Sequence, residues 1–342
     1  MSSITIYDVA QKSGVSISTV SRVMNNNPSV REETRQKVLE IIAEMNFKPN
    51  PIARGLVVKQ TNIIEVFFSW VGYRVNLLTA WNSGILDGIN QVAQENQYGL
   101  LINTIAGLFD RKEVYKRVFQ NAVDGILIVS PYLEEKEVIQ MLENRLPFVL
   151  IGYRTNDPRM DFVDSDNVLA ASQVVDYLVG LGHRKIALIA GETKISRNAA
   201  DRLTGFQEGL KKHGLTLPEE YIAYGDFLRE SGEEAMKTLL KLVKRPTAVF
   251  ASNDSMAIGA IKVIEEAGLK VGKDIALVGF DDIPEASLPS YSLTTMRQDF
   301  HAISAKAMQF LLGKIHDPEH WKAQQVLVPT RLIVRQSSGT KK

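Results

Sequence analysis

The chain has 342 residues, of which 45% are hydrophobic and 23% charged, and its formal net charge at pH 7 is +1. That length suggests about two domains and a smaller module, since a domain commonly holds roughly 150 residues. There is no cysteine, no run of about 18 apolar residues and no apolar N-terminal segment, so we expect a cytoplasmic protein without disulfides, thiolate metal sites, membrane span or signal peptide.

Positive charge is concentrated at the N-terminus. Residues 1–60 hold eight Lys and Arg against five Asp and Glu, a balance of +3, which leaves −2 for the other 282 residues. A basic end on a slightly acidic body suits contact with phosphates at that end only.

Residues 7–22, YDVAQKSGVSISTVSR, predict two short helices joined by a sharp turn. Gly14 ends the first helix, and Ser16 stands where an N-cap begins a second helix over about residues 17–25. The valines of the second helix are predicted to be buried. Its exposed face then carries Ile17, Ser18, Ser21 and Arg22. Such a helix-turn-helix fits a DNA major groove, although a two-helix corner of an ordinary domain has the same spacing.

A third helix and a linker follow. Apolar residues at helical spacing predict a helix over about residues 32–45, which completes a module of residues 1–48. In residues 49–60, Pro49 and Pro51 precede a stretch, PIARGLVV, that could form about two helical turns. Because so short a helix is marginal in water, we expect it to form only when something holds it. A plain tether is the alternative.

From residue 61 onward, short apolar runs alternate with amphipathic helical segments. This alternation predicts parallel sheets with helices on both faces, and about thirteen elements suggest two Rossmann-like lobes with a cleft between them. The predicted strands are 63–68, 100–104, 125–130, 148–151, 185–190, 247–251 and 275–280. The predicted helices are 80–97, 110–120, 134–144, 167–180, 198–213, 229–243, 254–267 and 299–314.

Three motifs place polar side chains at the predicted cleft. FASNDSMAIGA puts Asn253 and Asp254 at the carboxyl end of a strand, and ALVGFDDIPEA does the same for Asp281 and Asp282. NAADRLTGF puts Arg202 near the start of a helix. Asn, Asp and Arg together supply donors and acceptors for neighbouring sugar hydroxyls. Each is also a common residue near helix ends, so Asn253 or Asp281 as a pure cap remains open.

The segments TIYDVAQKSGVSISTVSRVMN and VREETRQKVLEIIAEMNFKPNPIARGL resemble the DNA-binding headpiece of the lactose-repressor/galactose-repressor family of bacterial transcription regulators. A looser resemblance covers nearly all of the chain. It implies an all-α headpiece and an α/β body, residues 61–340, with two lobes of the periplasmic-binding-protein type. The chain would cross between lobes near residues 160, 291 and 325. The implied N-lobe is roughly 61–160 plus 292–325, and the implied C-lobe is roughly 161–291 plus 326–340.

The resemblance also implies which residues contact DNA. Base reading falls to Ile17, Ser18 and Arg22, and an Arg guanidinium matches the O6/N7 edge of guanine. Contacts with the DNA backbone are implied for Tyr7, Ser16, Thr19, Ser21, Asn25 and Arg35. In the minor groove the resemblance places Ala53, Arg54 and Leu56, with the leucine wedged into a central base step.

In the cleft, the resemblance implies a ligand wall made of Ser69, Tyr73, Arg202, Phe227, Asn253 and Asp281. Purine-responsive relatives carry an Arg–Thr pair where Ser196 and Asn198 stand here, so a sugar is favoured over a nucleobase. Glu65 occupies a position in the first strand where relatives usually have Gly. Its carboxylate must face solvent or find a partner.

The resulting hypothesis is a homodimeric repressor of carbohydrate genes that binds a pseudo-palindromic operator and responds to a small effector, with no cofactor. One alternative is a catabolite-control-type regulator activated by a phosphorylated partner protein, which ITIYDVA and NPIARGL resemble. Another is a purine-responsive, co-repressed regulator. No GxGxxG, GxxxxGK[ST], GxSxG or HExxH motif occurs, so we expect no enzyme and no metal site. The C-terminal RQSSGTKK lacks leucine heptads, which favours a dimer over a coiled-coil tetramer.

Overall fold

The computed structural model describes residues 4–24, 27–47, 60–70, 77, 79–106, 123–130, 135–143, 146–194 and 196–339. The chain divides into two compact units, residues 1–62 and residues 63–342. Within the described ranges, no helix combines the length and the apolar character needed to span a membrane.

The first unit is a three-helix module: α1 is Ile6–Ser13, α2 is Ile17–Met24 and α3 is Glu32–Glu44. Gly14 ends α1 in the left-handed conformation, with φ of 69°, where a side chain would be strained. The Thr19 amide donates to Ser16 Oγ at 3.2 Å, so the predicted cap of α2 is confirmed. A small buried core holds the helices together: Val9, Ala10, Val20, Val23, Val38 and Phe47.

The second unit contains twelve strands within the described ranges. They are β1 Ile63–Trp70, β2 Gly99–Ala106, β3 Gly125–Val129, β4 Phe148–Ile151, β5 Phe162–Ser165, β6 Ile186–Ala190, β7 Ile222–Tyr224, β8 Ala248–Ala251, β9 Ala276–Asp281, β10 Thr294–Arg297, β11 Gln325–Val328 and β12 Arg331–Ile333. The helices are α4 Ala80–Glu95, α5 Glu135–Gln140, α6 Asn167–Gly180, α7 Arg197–Lys212, α8 Arg229–Leu240, α9 Asp254–Glu266 and α10 Phe300–His316. Short 3₁₀ helices are Met141–Glu143, Glu219–Tyr221, Pro284–Ser287 and Gln336–Ser338.

These strands form two sheets, so the predicted two-lobe body is confirmed. The order is β11-β5-β4-β3-β1-β2 in the first sheet and β12-β10-β9-β8-β6-β7 in the second. All pairs are parallel except β10 with β12. The predicted helix over residues 110–120 lies outside the described residues.

The chain crosses between the sheets later than the resemblance implied. Strand β5 belongs to the first sheet although residues from 161 were assigned to the C-lobe, and β10 belongs to the second sheet although residues from 292 were assigned to the N-lobe. Strand β11 likewise stays in the first sheet beyond residue 325. The reason is pairing: β5 pairs with β11 over four residues, Phe162 to Ser165, before the chain leaves the sheet.

Two local contacts bear on the site: the hydrogen bond of the buried Glu65 in β1, and the close packing of α6 against α7 in the second lobe. Glu65 in β1 is fully buried and accepts a hydrogen bond from Asn103 Nδ2 at 2.9 Å, so it has found a partner rather than solvent. In the second lobe α6 and α7 pack directly at Gly205, where a Cβ would lie 2.0 Å from the Val168 carbonyl oxygen. This close approach holds the middle of α7, and with it the nearby Arg202, beside the start of α6.

Candidate DNA-binding face and ligand cleft

Helix α2 presents the predicted base-reading side chains on its solvent face. Ile17 is 39% exposed, and Ser18 and Arg22 are also exposed, while Val20 and Val23 are buried on the opposite side. An eight-residue helix is about 12 Å long, which matches the width of a major groove. This arrangement allows the three side chains to meet base edges, and their contacts with DNA remain a prediction.

The predicted backbone-contacting residues surround that helix. Tyr7 on α1 is 69% exposed. Ser16 Oγ lies 2.8 Å from Ser18 Oγ and 2.9 Å from Thr19 Oγ1, which forms a hydroxyl cluster at the start of α2. Arg35 on α3 donates to the Asn27 carbonyl oxygen at 2.6 Å, so it also holds the loop before α3 in place. Ser21 is half-buried.

Several predicted contacts lie outside the described residues: Asn25, Ala53, Arg54, Leu56 and Tyr73. Ser69 lies within β1, but its side chain is also outside the described set.

Arg202 on α7 is the best-fixed charged side chain at the carboxyl ends of the second sheet. It is 4% exposed, its Nε donates to Asn167 Oδ1 at 2.8 Å, and one Nη donates to the Ser252 carbonyl oxygen. The guanidinium carbon stands 3.7 Å from the centre of the Phe280 ring, a cation–π geometry. These contacts preorganise Arg202 for any acceptor that enters the cleft.

Asp281 ends β9 close to Arg202. Its backbone φ of 120° is unusual for a residue with a side chain, and such strain clusters at functional sites. Its Oδ1 accepts from Gln298 Nε2 at 2.7 Å. Burial raises the pKa of Asp281 to about 6, against the lowering effect of Arg202 and of Gln298.

Asp254, in contrast, is used inside the fold. It accepts from Thr295 Oγ1 at 2.6 Å and from the Ile283 amide at 2.9 Å. Burial and the charge of Asp281 raise the pKa of Asp254 well above its ordinary value. Its contacts tie α9 to β10 and to the segment that follows β9.

Asn253 and Phe227 are linked to each other. Asn253 Oδ1 accepts from the Met256 amide at 2.9 Å, so the helix-cap interpretation applies, and its Nδ2 donates to the Phe227 carbonyl oxygen at 2.9 Å. The Phe227 ring lies against Gly191, where a Cβ would be 2.3 Å from it. Asn253 therefore positions the aromatic residue, and a ligand contact by either side chain remains a prediction.

Sequence reasoning missed Asp164, which lies on β5, a strand it did not predict. Asp164 is fully buried and accepts from the Ser165 amide at 2.7 Å. In the amide orientation that satisfies its neighbours, Asn198 Nδ2 donates to Asp164 Oδ2 at 2.9 Å and to the Gly152 carbonyl oxygen at 3.2 Å. Since Asp164 and Gly152 belong to the first lobe and Asn198 to the second, these bonds join the lobes.

Burial of Asp164 predicts an inverse dependence of stability on pH. It raises the pKa from 3.8 to about 7, so the folded protein binds more protons than the unfolded chain between about pH 4 and 7. Stability should therefore fall as pH rises through that window. The free energy of unfolding should fall by about 2 to 3 kcal/mol between pH 5 and pH 8 because of this group, since one pKa unit corresponds to about 1.36 kcal/mol. We expect Asp164→Asn to remove this part of the pH dependence.

Chemical unfolding of the full chain at pH 5, 6, 7 and 8 measures this difference. Asp87→Asn, which replaces an exposed acid on α4, is the matched control. A pH slope for Asp164→Asn equal to that of the control would contradict the assignment.

Among the described residues, no group of three or more His, Asp or Glu side chains is arranged to hold a metal ion. The site consists of a preorganised Arg, buried carboxyls whose pKa values are raised by burial, and an aromatic ring at the junction of two lobes. Such a set binds polar ligands through hydrogen bonds.

Two family models match the chain. Residues 5–50 match the bacterial regulatory proteins of the lacI family, and residues 175–338 match a periplasmic binding protein-like domain. The first match covers the three-helix module. The second covers most of the second lobe together with α10 and β11.

Whole-length relatives have the same organisation. The chain is 32% identical to catabolite control protein A of Priestia megaterium, over 98% of this chain and 99% of that protein. It superposes on the Lac repressor dimer bound to operator and the anti-inducer ONPF with a TM-score of 0.86, at 30% identity, over 99% and 100% of the two chains. With the complex of the transcriptional regulator CelR and cellobiose the TM-score is 0.74, at 28% identity, over 98% and 99%.

Proposed function

The chain belongs to the lacI family of bacterial regulatory proteins, and we propose that it represses carbohydrate genes as a cytoplasmic homodimer whose affinity for a pseudo-palindromic operator is controlled by a sugar. It is a DNA-binding transcription regulator. The observation that carries the sugar assignment is the buried Arg202, held by Asn167 and Ser252 against Phe280 beside Asp281.

The three-helix module carries the DNA-binding part of the proposed function. Arg22 and Ser18 are exposed on α2, and the Ser16 cap fixes where that helix begins. A Lac repressor dimer with operator bound is among the structures this chain superposes on. In a dimer, two such heads would read two half-sites about one helical turn apart or a multiple of it. Ala53, Arg54 and Leu56 would then enter the minor groove between them.

The cleft supplies the effector half. A sugar needs donors and acceptors for adjacent hydroxyls and a flat apolar face for its ring. Arg202 donates, the Asp281 carboxyl accepts, and Phe227 offers a half-buried ring beside Gly191. CelR, a transcriptional regulator of similar architecture, is in complex with cellobiose, which supports a sugar as the class of effector. Where a purine would need an Arg–Thr pair, Asn198 instead bonds Asp164 and Gly152.

Coupling between the two halves would pass through lobe closure. Asn198 joins the lobes through Asp164 and Gly152, close to Arg202, so a ligand on Arg202 changes the balance of contacts across the cleft. A coupling free energy of about 1–3 kcal/mol would alter operator affinity about 5- to 150-fold.

A retardation assay tests the proposal. The full chain is titrated onto a palindromic operator and onto scrambled DNA, with and without each member of a panel of neutral and acidic sugars. We expect operator-specific binding that at least one sugar changes about 5- to 150-fold. Specific binding that no sugar alters would reject the sugar effector.

The similarity to catabolite control protein A favours one second candidate, a regulator activated by a phosphorylated partner protein. In that case a phosphorylated partner protein, and no sugar alone, would increase operator retention in the same assay.

A further inference from the structure

Two arginines from opposite lobes converge on a single carboxylate where the lobes meet. Arg154 follows β4 in the first lobe, and its Nη2 donates to Asp201 Oδ1 at 3.2 Å while its Nε lies 3.1 Å from Oδ2. Arg197, the first residue of α7 in the second lobe, places its Nε 3.4 Å from Asp201 Oδ1. We define these three side chains as the rim cluster.

The rim cluster has more positive charge than its own carboxylate balances. Within the described residues, Asp201 is the one acid at ion-pair distance from either arginine. The Nε groups of Arg154 and Arg197 are buried and donate no hydrogen bond to any described residue. One carboxylate thus faces two guanidinium groups whose side chains remain partly exposed, and a guanidinium fork matches a carboxylate or phosphate.

The two arginines of the rim cluster are more exposed to solvent than the centre of the site. The side chains of Arg154 and Arg197 are 32% and 31% exposed, against 8% for Asp201. Arg202, which directly follows Asp201 in α7, instead contacts the buried set of Asn167, Ser252 and Phe280. Consecutive helix residues diverge by about 100°, so α7 presents an open cationic edge next to a buried polar centre.

The acids of the cleft group around Arg202 rather than around the rim cluster. Asp164 and Asp281 both interact with Arg202, and burial raises the pKa of these two acids to about 7 and about 6. Their negative charge near neutral pH is therefore reduced. The rim cluster is the place in the cleft where an added negative charge meets cations in excess.

We propose that the effector carries an anionic group, a carboxylate or a phosphate, that binds between Arg154 and Arg197 while its hydroxyls bind at Arg202 and Asp281. The inference rests on the proposed function, since it names the chemical class of the same ligand. An anion held by one arginine of each lobe also favours the closed arrangement of the lobes.

Matched sets of sugars test the charge. Glucose, glucuronate and glucose 6-phosphate, and the corresponding galactose set, are titrated into the full chain by calorimetry and compared in the operator assay. We expect an acidic member to bind at least about tenfold more tightly than its neutral parent, the lower end of the range for a hydrogen bond to a charged group. Comparison of the uronate with the phosphate decides which anion is preferred.

Variants locate the effect. Arg154→Gln and Arg197→Gln should each remove most of the preference for the acidic sugar, while the neutral parent binds as before. Arg245→Gln, which replaces an exposed arginine that precedes β8 and so lies near the amino end of that strand, away from the carboxyl ends of the second sheet, is the control with the same charge change. As a probe that needs no sugar, inorganic phosphate should raise the unfolding temperature of the parent and of Arg245→Gln more than that of either rim variant, at matched ionic strength.

The outcomes separate the two proposals. Neutral sugars that bind and shift the operator while their acidic derivatives bind no better would overturn the anionic effector and leave the sugar effector standing. Equal phosphate stabilisation of parent and rim variants would also overturn it. If no neutral or acidic sugar of the full panel used in the operator assay bound, both proposals would be rejected.

Discussion

Arg22→Ala should strongly reduce the preference for operator over scrambled DNA while leaving the protein folded. The Arg22 side chain is exposed, and no described residue makes a hydrogen bond or ion pair with it, so its loss costs the three-helix core little. A bidentate Arg–guanine pair contributes about 1–3 kcal/mol of discrimination, and a dimer loses one pair in each half-site. The ratio of specific to non-specific affinity should fall about 30-fold to 10⁴-fold.

The measurement is competitive retardation of operator and scrambled DNA at several salt concentrations, because phosphate contacts dominate non-specific binding. Lys37→Ala, an exposed lysine on α3, removes the same charge away from the reading face. It should lower both affinities alike and preserve their ratio. If Arg22→Ala also preserved the ratio, α2 would not be the reading helix.

Arg202→Ala should silence the effector response while the operator is still bound. The guanidinium supplies the buried donors of the cleft, and a hydrogen bond to a charged group contributes about 1.5–3 kcal/mol, so sugar affinity should fall at least about tenfold. The fold should persist because the buried Asp164 and Asp281 already have raised pKa values and can become neutral when Arg202 is absent.

Calorimetry with the sugar that alters operator binding measures this loss, and thermal unfolding checks the body. Asp281→Asn is a milder variant, since Asn keeps the size of the side chain and tolerates positive φ. It should weaken the same response. Arg245→Ala is the control in the second lobe. A normal sugar response in both Arg202→Ala and Asp281→Asn would place the ligand elsewhere.

The elements with long apolar runs or strong helical periodicity were predictable. Residues 148–151 and 167–180 were predicted as the structure has them, and 186–190 and 254–266 within a residue. Polar residues directly after such strands, Asp281 above all, could be placed at the cleft because the carboxyl ends of parallel strands meet at one edge.

Other features were out of reach for physical reasons. Strand β5 has only two apolar residues in FVDS and owes its existence to pairing with the distant β11, so neither it nor Asp164 could be found from local pattern. The same dependence on distant partners hid the three-residue β7 and β12. Asn253 stayed ambiguous because capping a helix and binding a ligand call for the same amide. The rim cluster was missed since Arg154, Arg197 and Asp201 come from two lobes.

The central claim is that sugar binding in the cleft and operator binding by the three-helix module are linked by one coupling free energy. The most direct measurement is calorimetric titration of the active sugar into the full chain with and without saturating operator. Linkage requires operator to change sugar affinity by the same factor, about 5 to 150, by which the sugar changes operator affinity. We predict that equality of factors; the same sugar affinity with and without operator would contradict the account.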